Sequence, residues 1–442
     1  MSDGCSRHRI QCNCHWRVKA PDRRWATNGS WYVAAMFAVC TRLGPRRAAL
    51  RPLIFAVFLV LAWAVPATAS AYPWMIRHEY SACATCHTDP SGGGLLTRYG
   101  RAQAALLLSS RAGLPQSEEE PGKYKDFAFG AVPLPEEIDL QGWVRNAYLI
   151  NMSGGSVVDK RFLLMRGDLG AHVRVGAFRA SGMLGVALKD SRPLSQEAWV
   201  TSSRTGANLV SREHWAGVAL ADDAVLVRAG RLNLPFGLRN IEHTTWVRRE
   251  TRSDTNQQQQ HGVAVAYTGE KLRGELMGIA GNFQVRPDAY RERGYAGYGE
   301  YAVLNNLGLG VSSSIVQAKA DPGTRVPYFR QAHGVFVRYA PVKPLVLMAE
   351  GDLLVKSLKN DNPSTDFAGL LQADFEAIQG LHFVATGEAL TQSRVKETLF
   401  GGWIGAWFFL FAHMDARIDL VQRTAGSGPS TTSVLFQLHG WL

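Results

Sequence analysis

"LLMRGDLGAHVRVGA", residues 163–177, alternates with a period of two. Its odd positions are Leu163, Met165, Gly167, Leu169, Ala171, Val173, Val175 and Ala177; its even positions include Arg166, Asp168, His172 and Arg174. Successive side chains of a strand point to opposite faces, so this pattern predicts one strand with an apolar face and a charged face. It is longer than the five or six residues typical of strands in globular proteins. The same reading recurs where Leu371, Ala373, Phe375 and Ala377 oppose Gln372, Asp374 and Glu376. It recurs again where Leu381, Phe383, Ala385 and Ala389 oppose His382, Thr386 and Glu388, and where Met414, Ala416, Ile418 and Leu420 oppose Asp415, Arg417 and Asp419.

Soluble sandwiches alternate too, so the connections carry the distinction. Tight links fall near Phe178-Arg179, Asp222-Asp223, Gly269-Glu270, Asn305-Asn306, 341–343, Gln379-Gly380 and Ala412-His413. Between them lie longer polar stretches near 153–161, 189–207, 233–260, 283–294, 319–328, 356–365, 391–396 and 423–431. Short turns at one rim and longer loops at the other are the signature of an outer-membrane barrel. Threading strands between them predicts an all-β fold, a transmembrane antiparallel β-barrel over 138–442 of about 16 strands, with 14 and 18 as the neighbouring counts, and both ends on the periplasmic side. A midplane Arg facing lipid costs roughly 2–4 kcal/mol, so Arg166 and Arg174 must line the interior. Trp143, Tyr148, Trp215, Tyr267, Tyr301, Tyr339, Trp403 and Trp407 are expected in an interfacial girdle. The chain ends in an alternating strand, Val434 to Leu442, with its aromatic at the penultimate Trp441. The loop 233–260, with His243, Trp246, Arg248, Arg249 and the Gln257 to Gln260 run, is expected to be a solvated surface loop, with folding inward or reaching outward as the alternative.

The formal charge of +11 does not point to nucleic acid, because residues 1–71 hold ten Lys/Arg and two Asp/Glu, and the rest of the chain carries 38 basic against 35 acidic residues. Arg42, Arg46, Arg47 and Arg51 precede an uncharged run from Pro52 to Val65 and the small-residue stretch Ala67-Thr68-Ala69-Ser70-Ala71. That order reads as a signal peptide over 36–71 with cleavage after Ala71, and 1–35 as an extension from a misplaced start codon. The apolar run is too short for a bilayer-spanning helix.

After cleavage two of the six cysteines remain, Cys83 and Cys86, followed by His87. Cys-x-x-Cys-His in an exported chain reads as a site of covalent haem c attachment, with one thioether per cysteine and the histidine on iron. A Cys83–Cys86 disulfide and a zinc site are the competing readings; zinc lacks a second Cys or His pair nearby. Candidates for the second axial position are His78 and Met75, with lumen-facing histidines further along the chain and an open or water-bound iron as alternatives. A turn-rich loop at 89–94 leads to one short helix from Leu96 to Leu108, with Leu95, Tyr99, Ala102 and Leu106 on one stripe. This monohaem segment over 72–112 is too small to be stable alone and should plug something larger. Residues 113–137 read as a linker.

The leader, the single Cys-x-x-Cys-His, the Leu-rich stretch with Gly100-Arg101, and the barrel together resemble the fused monohaem cytochrome–porins of the outer membrane, including those linked to extracellular iron oxidation. The resemblance implies that Cys83 and Cys86 carry the haem, that His87 binds the iron, and that the segment plugs the barrel. It implies electron exchange between periplasmic cytochromes or other redox carriers and an extracellular donor or acceptor such as Fe(II), with outer-membrane lipid as the surrounding partner. The family usually continues Gly-Arg-x-Phe, whereas this chain reads Gly100-Arg101-Gln103 with Ala102 between. Gly230 to Arg239 is similar to a Pro-Phe-Gly stretch of several porin families. No paired carboxylates, Ser/His/Asp order or phosphate loop point to a hydrolase, so the chain reads as an electron carrier, with an extracellular metal oxidoreductase as the open alternative. The alternatives are a diffusion porin with a structural haem plug, and a soluble periplasmic cytochrome fused to a β-sandwich.

Overall fold

The computed structural model describes residues 73–110, 127–188, 207–242, 244–256, 258–321, 323–426 and 428–442. The extension, the leader and its cleavage site, and most of the linker lie outside the described residues. Sixteen strands follow: β1 (Ile138–Ser153), β2 (Ser156–Val175), β3 (Phe178–Leu188), β4 (Ala207–Leu220), β5 (Val225–Leu232), β6 (Gln260–Thr268), β7 (Leu272–Gly281) and β8 (Arg293–Leu304), then β9 (Leu307–Ala318), β10 (Tyr328–Val342), β11 (Leu345–Leu358), β12 (Ser364–Ile378), β13 (Leu381–Gln392), β14 (Glu397–Phe411), β15 (Met414–Ala425) and β16 (Gly428–Trp441). Each pairs antiparallel with its neighbours in sequence, and β1 pairs with β16, Trp143 opposite Trp441, to close the barrel. The expected strand count is observed.

The outward face is apolar. Val144, Leu169, Leu184, Leu276, Val311, Val335, Leu371, Ile404 and Phe436 all point away from the lumen and are exposed. Charged residues of the strands, such as Asp168, Arg228, Glu275, Arg338 and Asp374, are buried inside. An exterior of this kind is stable against hydrocarbon and not against water, which sets aside the soluble sandwich.

Three expectations are corrected. Residues 153–161 and 423–431 are not loops: β1 turns into β2 across Gly154-Gly155, and Leu149 pairs with Arg161 and Asn151 with Asp159. Likewise β15 pairs with β16 through Arg423 opposite Thr431 and, past a bulge, as far as Ala425 opposite Gly428. Polar sequence there marks strand leaving the lipid, where the hydrogen-bond ladder continues without an apolar face. Second, a bulge skips Met165 in the pairing of β1 with β2, Arg145 facing Arg166 and Asn146 facing Leu164. One inserted residue reverses the parity of everything before it, so Leu163 and Met165 line interior cavities and Phe162 is exposed outside. Third, the girdle holds for Tyr148, Tyr301 and Tyr339, which are exposed. It fails for Trp143, Trp215, Trp403 and Trp407, which are buried in the lumen. Each of these indoles lies under a guanidinium, from Arg166, Arg228, Arg423 and Arg417 respectively, and the cation–π contact fixes the side it faces.

Of the readings for the loop, the described residues of 233–259 take the inward one and not the solvated one. Leu234, Phe236 and Leu238 are buried, and α2, the helix Trp246–Thr251, packs on the far wall formed by β11, β12 and β13. Glu350 of β11 accepts hydrogen bonds from Arg248 and from the Leu238 backbone at 3.0 Å, and Glu388 of β13 accepts from the Trp246 backbone at 2.7 Å. Gly237 at φ +59° makes the tight turn, and a Cβ there would lie 2.7 Å from the Arg248 guanidinium.

Candidate functional site

The lumen is filled from the short-turn rim by residues 73–110. A 3-10 turn, Pro73–His78, leads in: Trp74 packs with His382, Trp407 and Phe409, while Arg77 is buried between Asp374 and Glu376 of β12. Arg338 of β10 donates to the Ser81 carbonyl at 2.7 Å. At the other end, Ser110 is joined to Phe409 and Leu410, and Gln379 donates to the Leu106 and Ser109 carbonyls. The forty-residue segment therefore acquires from the barrel wall the partners it cannot supply for itself.

Within it, Cys83, Cys86 and His87 share one helical turn, with the Cys86 and His87 amides donating to the Cys83 carbonyl at 3.1 and 3.0 Å. The helix α1, Arg98–Gln103, lies against that turn. Thr97 caps it by accepting from the Gly100 amide at 3.0 Å, and its own hydroxyl donates to the Thr85 carbonyl at 2.9 Å. Gly100 is needed for this approach, since a Cβ would sit 2.8 Å from the Cα of Cys86. After α1 the helix loosens into a π-turn over Ala104–Leu108. The expected helix is present, but its stripe is turned: Leu95 and Ala102 are buried as expected, while Tyr99 is exposed and Arg101, Ala105 and Leu108 face inward instead. Arg101 reaches the Leu140 carbonyl at 2.6 Å on β1, a wall contact invisible to helical periodicity.

Cys83 and Cys86 are buried and form no disulfide. Among the described residues there is no group of three His, Cys, Asp or Glu arranged for a metal ion. Burial pushes the His87 imidazole down to about 4, so it is neutral at pH 7, the form that can ligate a metal. Its Nδ1 is sealed from solvent without a hydrogen-bond partner.

Cys86 and His87 line a cavity of about 160 Å³, partly open to solvent, between the plug, the inward loop and the walls of β1, β2, β3, β4 and β16. Apolar walls come from Leu96, Leu108, Trp143, Met183 and Trp441; charge comes from Arg145, Arg166, Arg212 and Arg239 against the carboxylate of Glu213. Cys83 does not line this cavity, because its Sγ accepts a hydrogen bond from Arg273 of β7 at 2.8 Å. The residues present fit a covalently held haem by donor set, burial and charge, with the Cys83 thiol as the one group directed elsewhere.

Of the expected second ligands, Met75 lines the cavity and His78 does not. The structure adds residues that the sequence reading did not single out: Met165, Met183 and His439. His439 had a legible signal in the alternation of the final strand, where it shares a face with Gln437 and Leu435. Met165 had none, because its inward direction is created by the bulge.

Plug and inward loop also meet. Asp89 is fully buried and accepts from Arg228 of β5 and from Asn233, each at 2.8 Å. Burial works against the Asp89 carboxylate, but Arg228 and Arg239 outweigh it and hold it below the usual range.

No protein-family profile matches this chain, and no curated protein matches it. Among solved structures it is similar to OmpT, an outer membrane protein of Vibrio cholerae, in vitro folded, at 11% identity and TM-score 0.53 over 69% of this chain and 97% of that one. The loop L8 deletion mutant of OmpT matches at 12% identity and TM-score 0.52 over 69% and 99%. An anion-selective porin from Comamonas acidovorans matches at 14% identity and TM-score 0.48 over 69% and 99%. The fold is thus that of the outer-membrane β-barrels, and the similarity begins and ends with the fold.

Proposed function

We propose that this protein is an outer-membrane electron carrier in which a plugged barrel holds one haem c, attached at Cys83 and Cys86 with His87 on the iron. The observation that carries this reading is the placement of two thiols and an imidazole in one helical turn, inside a lumen, beside a cavity lined by four guanidinium groups. A bound haem supplies a one-electron couple. The chain's own residues do the rest. Arg145, Arg166, Arg212 and Arg239 would supply counter-charge for two carboxylates, and Trp143 and Trp441 would provide flat apolar walls. The hydrocarbon layer is roughly 30 Å thick, so a redox centre held within the lumen divides that gap. Periplasmic redox carriers would meet the short-turn rim, and an extracellular donor or acceptor, Fe(II) among them, the rim of the longer loops.

The test is a haem-stained denaturing gel of detergent-extracted protein, heated and unheated, from cells with a working cytochrome c maturation system. Retained pigment with heat-modifiable mobility is expected, and Cys83→Ser with Cys86→Ser together should lose the pigment but keep the mobility shift. A colourless wild type would refute the reading. The diffusion-porin alternative draws on the porin-like barrel alone; it requires solute flux that the packed lumen opposes, and liposome swelling separates the two.

A further inference from the structure

We infer that His439 is the second axial ligand of the haem iron, with Asp415 as the residue that orients it; the inference rests on the haem reading above. His439 of β16 lines the same cavity as His87. Its Nδ1 lies 2.9 Å from the Asp415 carboxylate on β15, and the Trp407 indole donates to the other oxygen of that carboxylate at 2.9 Å. The ring is also stacked on Trp441, with centroids 4.9 Å apart and planes 30° apart. An imidazole whose Nδ1–H is taken by a carboxylate has its tautomer fixed, leaving the Nε2 lone pair for a metal. This is the outer partner that metal-ligating histidines almost always have. Arg145 approaches the same nitrogen at 3.5 Å, too distant to displace the carboxylate from it.

The competing donors on the cavity wall lack such preparation. Met183 already accepts a hydrogen bond from Arg166 through its sulfur at 3.0 Å. Met75 belongs to the apolar cluster with Trp74, Leu95 and Leu108. His78 is not on the wall. His87 and His439 thus approach one space from the plug and from the barrel, so ligation would fasten the plug to the last strand.

The experiment uses full-length protein matured with haem and purified in detergent, with low-temperature electron paramagnetic resonance and near-infrared magnetic circular dichroism of the ferric state. Wild type is expected to be low-spin with two nitrogen ligands. His439→Ala should become high-spin, and added imidazole should restore the low-spin spectrum. His439→Met should keep a low-spin iron but raise the midpoint potential, since a Met/His pair favours the reduced form. Asp415→Asn should keep the low-spin spectrum and raise the potential, because the carboxylate makes the imidazole a stronger donor. Met75→Leu and Met183→Leu should leave spectrum and potential unchanged. A pigmented His439→Ala protein with a wild-type spectrum would overturn this assignment while leaving the haem reading intact, as would a high-spin Met75→Leu. A colourless wild type would overturn both. Heat-modifiable mobility of each variant shows that the barrel has formed.

Discussion

Arg228 of β5 donates to Asp89 of the plug at 2.8 Å, and both side chains are shut away from solvent. The pair joins residues 139 apart in sequence, and Arg228 is also bound to Glu275 of β7 at 2.6 Å. Breaking a buried pair by removing one partner costs about 3–5 kcal/mol, because the remaining charge is left without compensation. Glu275 keeps part of that compensation here. Asp89→Ala should therefore fall at the lower end of that range and loosen the plug before the barrel. Planar-bilayer conductance above that of wild type, together with trypsin cleavage inside 73–110, is the expected result.

Gly100 packs its Cα against Cys86, and overfilling such a contact costs typically about 1–3 kcal/mol. Gly100→Ala should push α1 off the Cys-x-x-Cys-His turn. Lower covalent haem yield at unchanged barrel folding, read by staining and by the heat-dependent mobility shift, checks this.

Glu292 ends the loop before β8 and lies between Arg330 at 3.1 Å and Arg252 at 2.8 Å. Burial pushes its carboxyl up, but Arg330 and Arg252 prevail and bring it to about 2, against 4.5 for the free group. A carboxyl depressed in the folded state adds stability that is complete above 4.5 and is lost as pH falls from there toward 2. The depression corresponds to something on the order of 3 kcal/mol. The difference in unfolding temperature between wild type and Glu292→Gln should be flat from pH 7 to 5 and shrink below 4.5.

Leu276 sits at the middle of β7, facing outward, with 59% of its surface exposed. If that surface meets hydrocarbon, Leu276→Arg costs roughly 2–4 kcal/mol, whereas in water it would cost almost nothing. Refolding into phospholipid vesicles, followed by denaturant titration, measures the difference. Arg at neighbouring Glu275 instead would leave Arg228 and a second cation together in the lumen, so the two faces of one strand should respond for opposite reasons.

Much of the barrel was legible because each strand reports its own two environments. Leu169 and Val175 against Asp168 and His172 need no partner to be read, since a charge in lipid and an alkyl chain in lipid differ by several kcal/mol. Parity fails where an extra residue enters one strand only, as at Met165, since the bulge is defined by its pairing with Arg145 and Asn146. The lumenal tryptophans were misread for a related reason: an indole suits an interface and an arginine equally, and only the neighbouring strand says which is present.

Sequence alone determined that the chain forms an alternating barrel with a Cys83, Cys86 and His87 cluster ahead of it, because strand period and residue spacing are local properties. Only the tertiary structure decided that 233–259 turns inward, that Arg273 reaches Cys83, and that His439 shares a cavity with His87 from the far end of the chain. These depend on which strands become neighbours when the sheet closes, and closure is fixed by the pairing of β1 with β16, which no local stretch encodes.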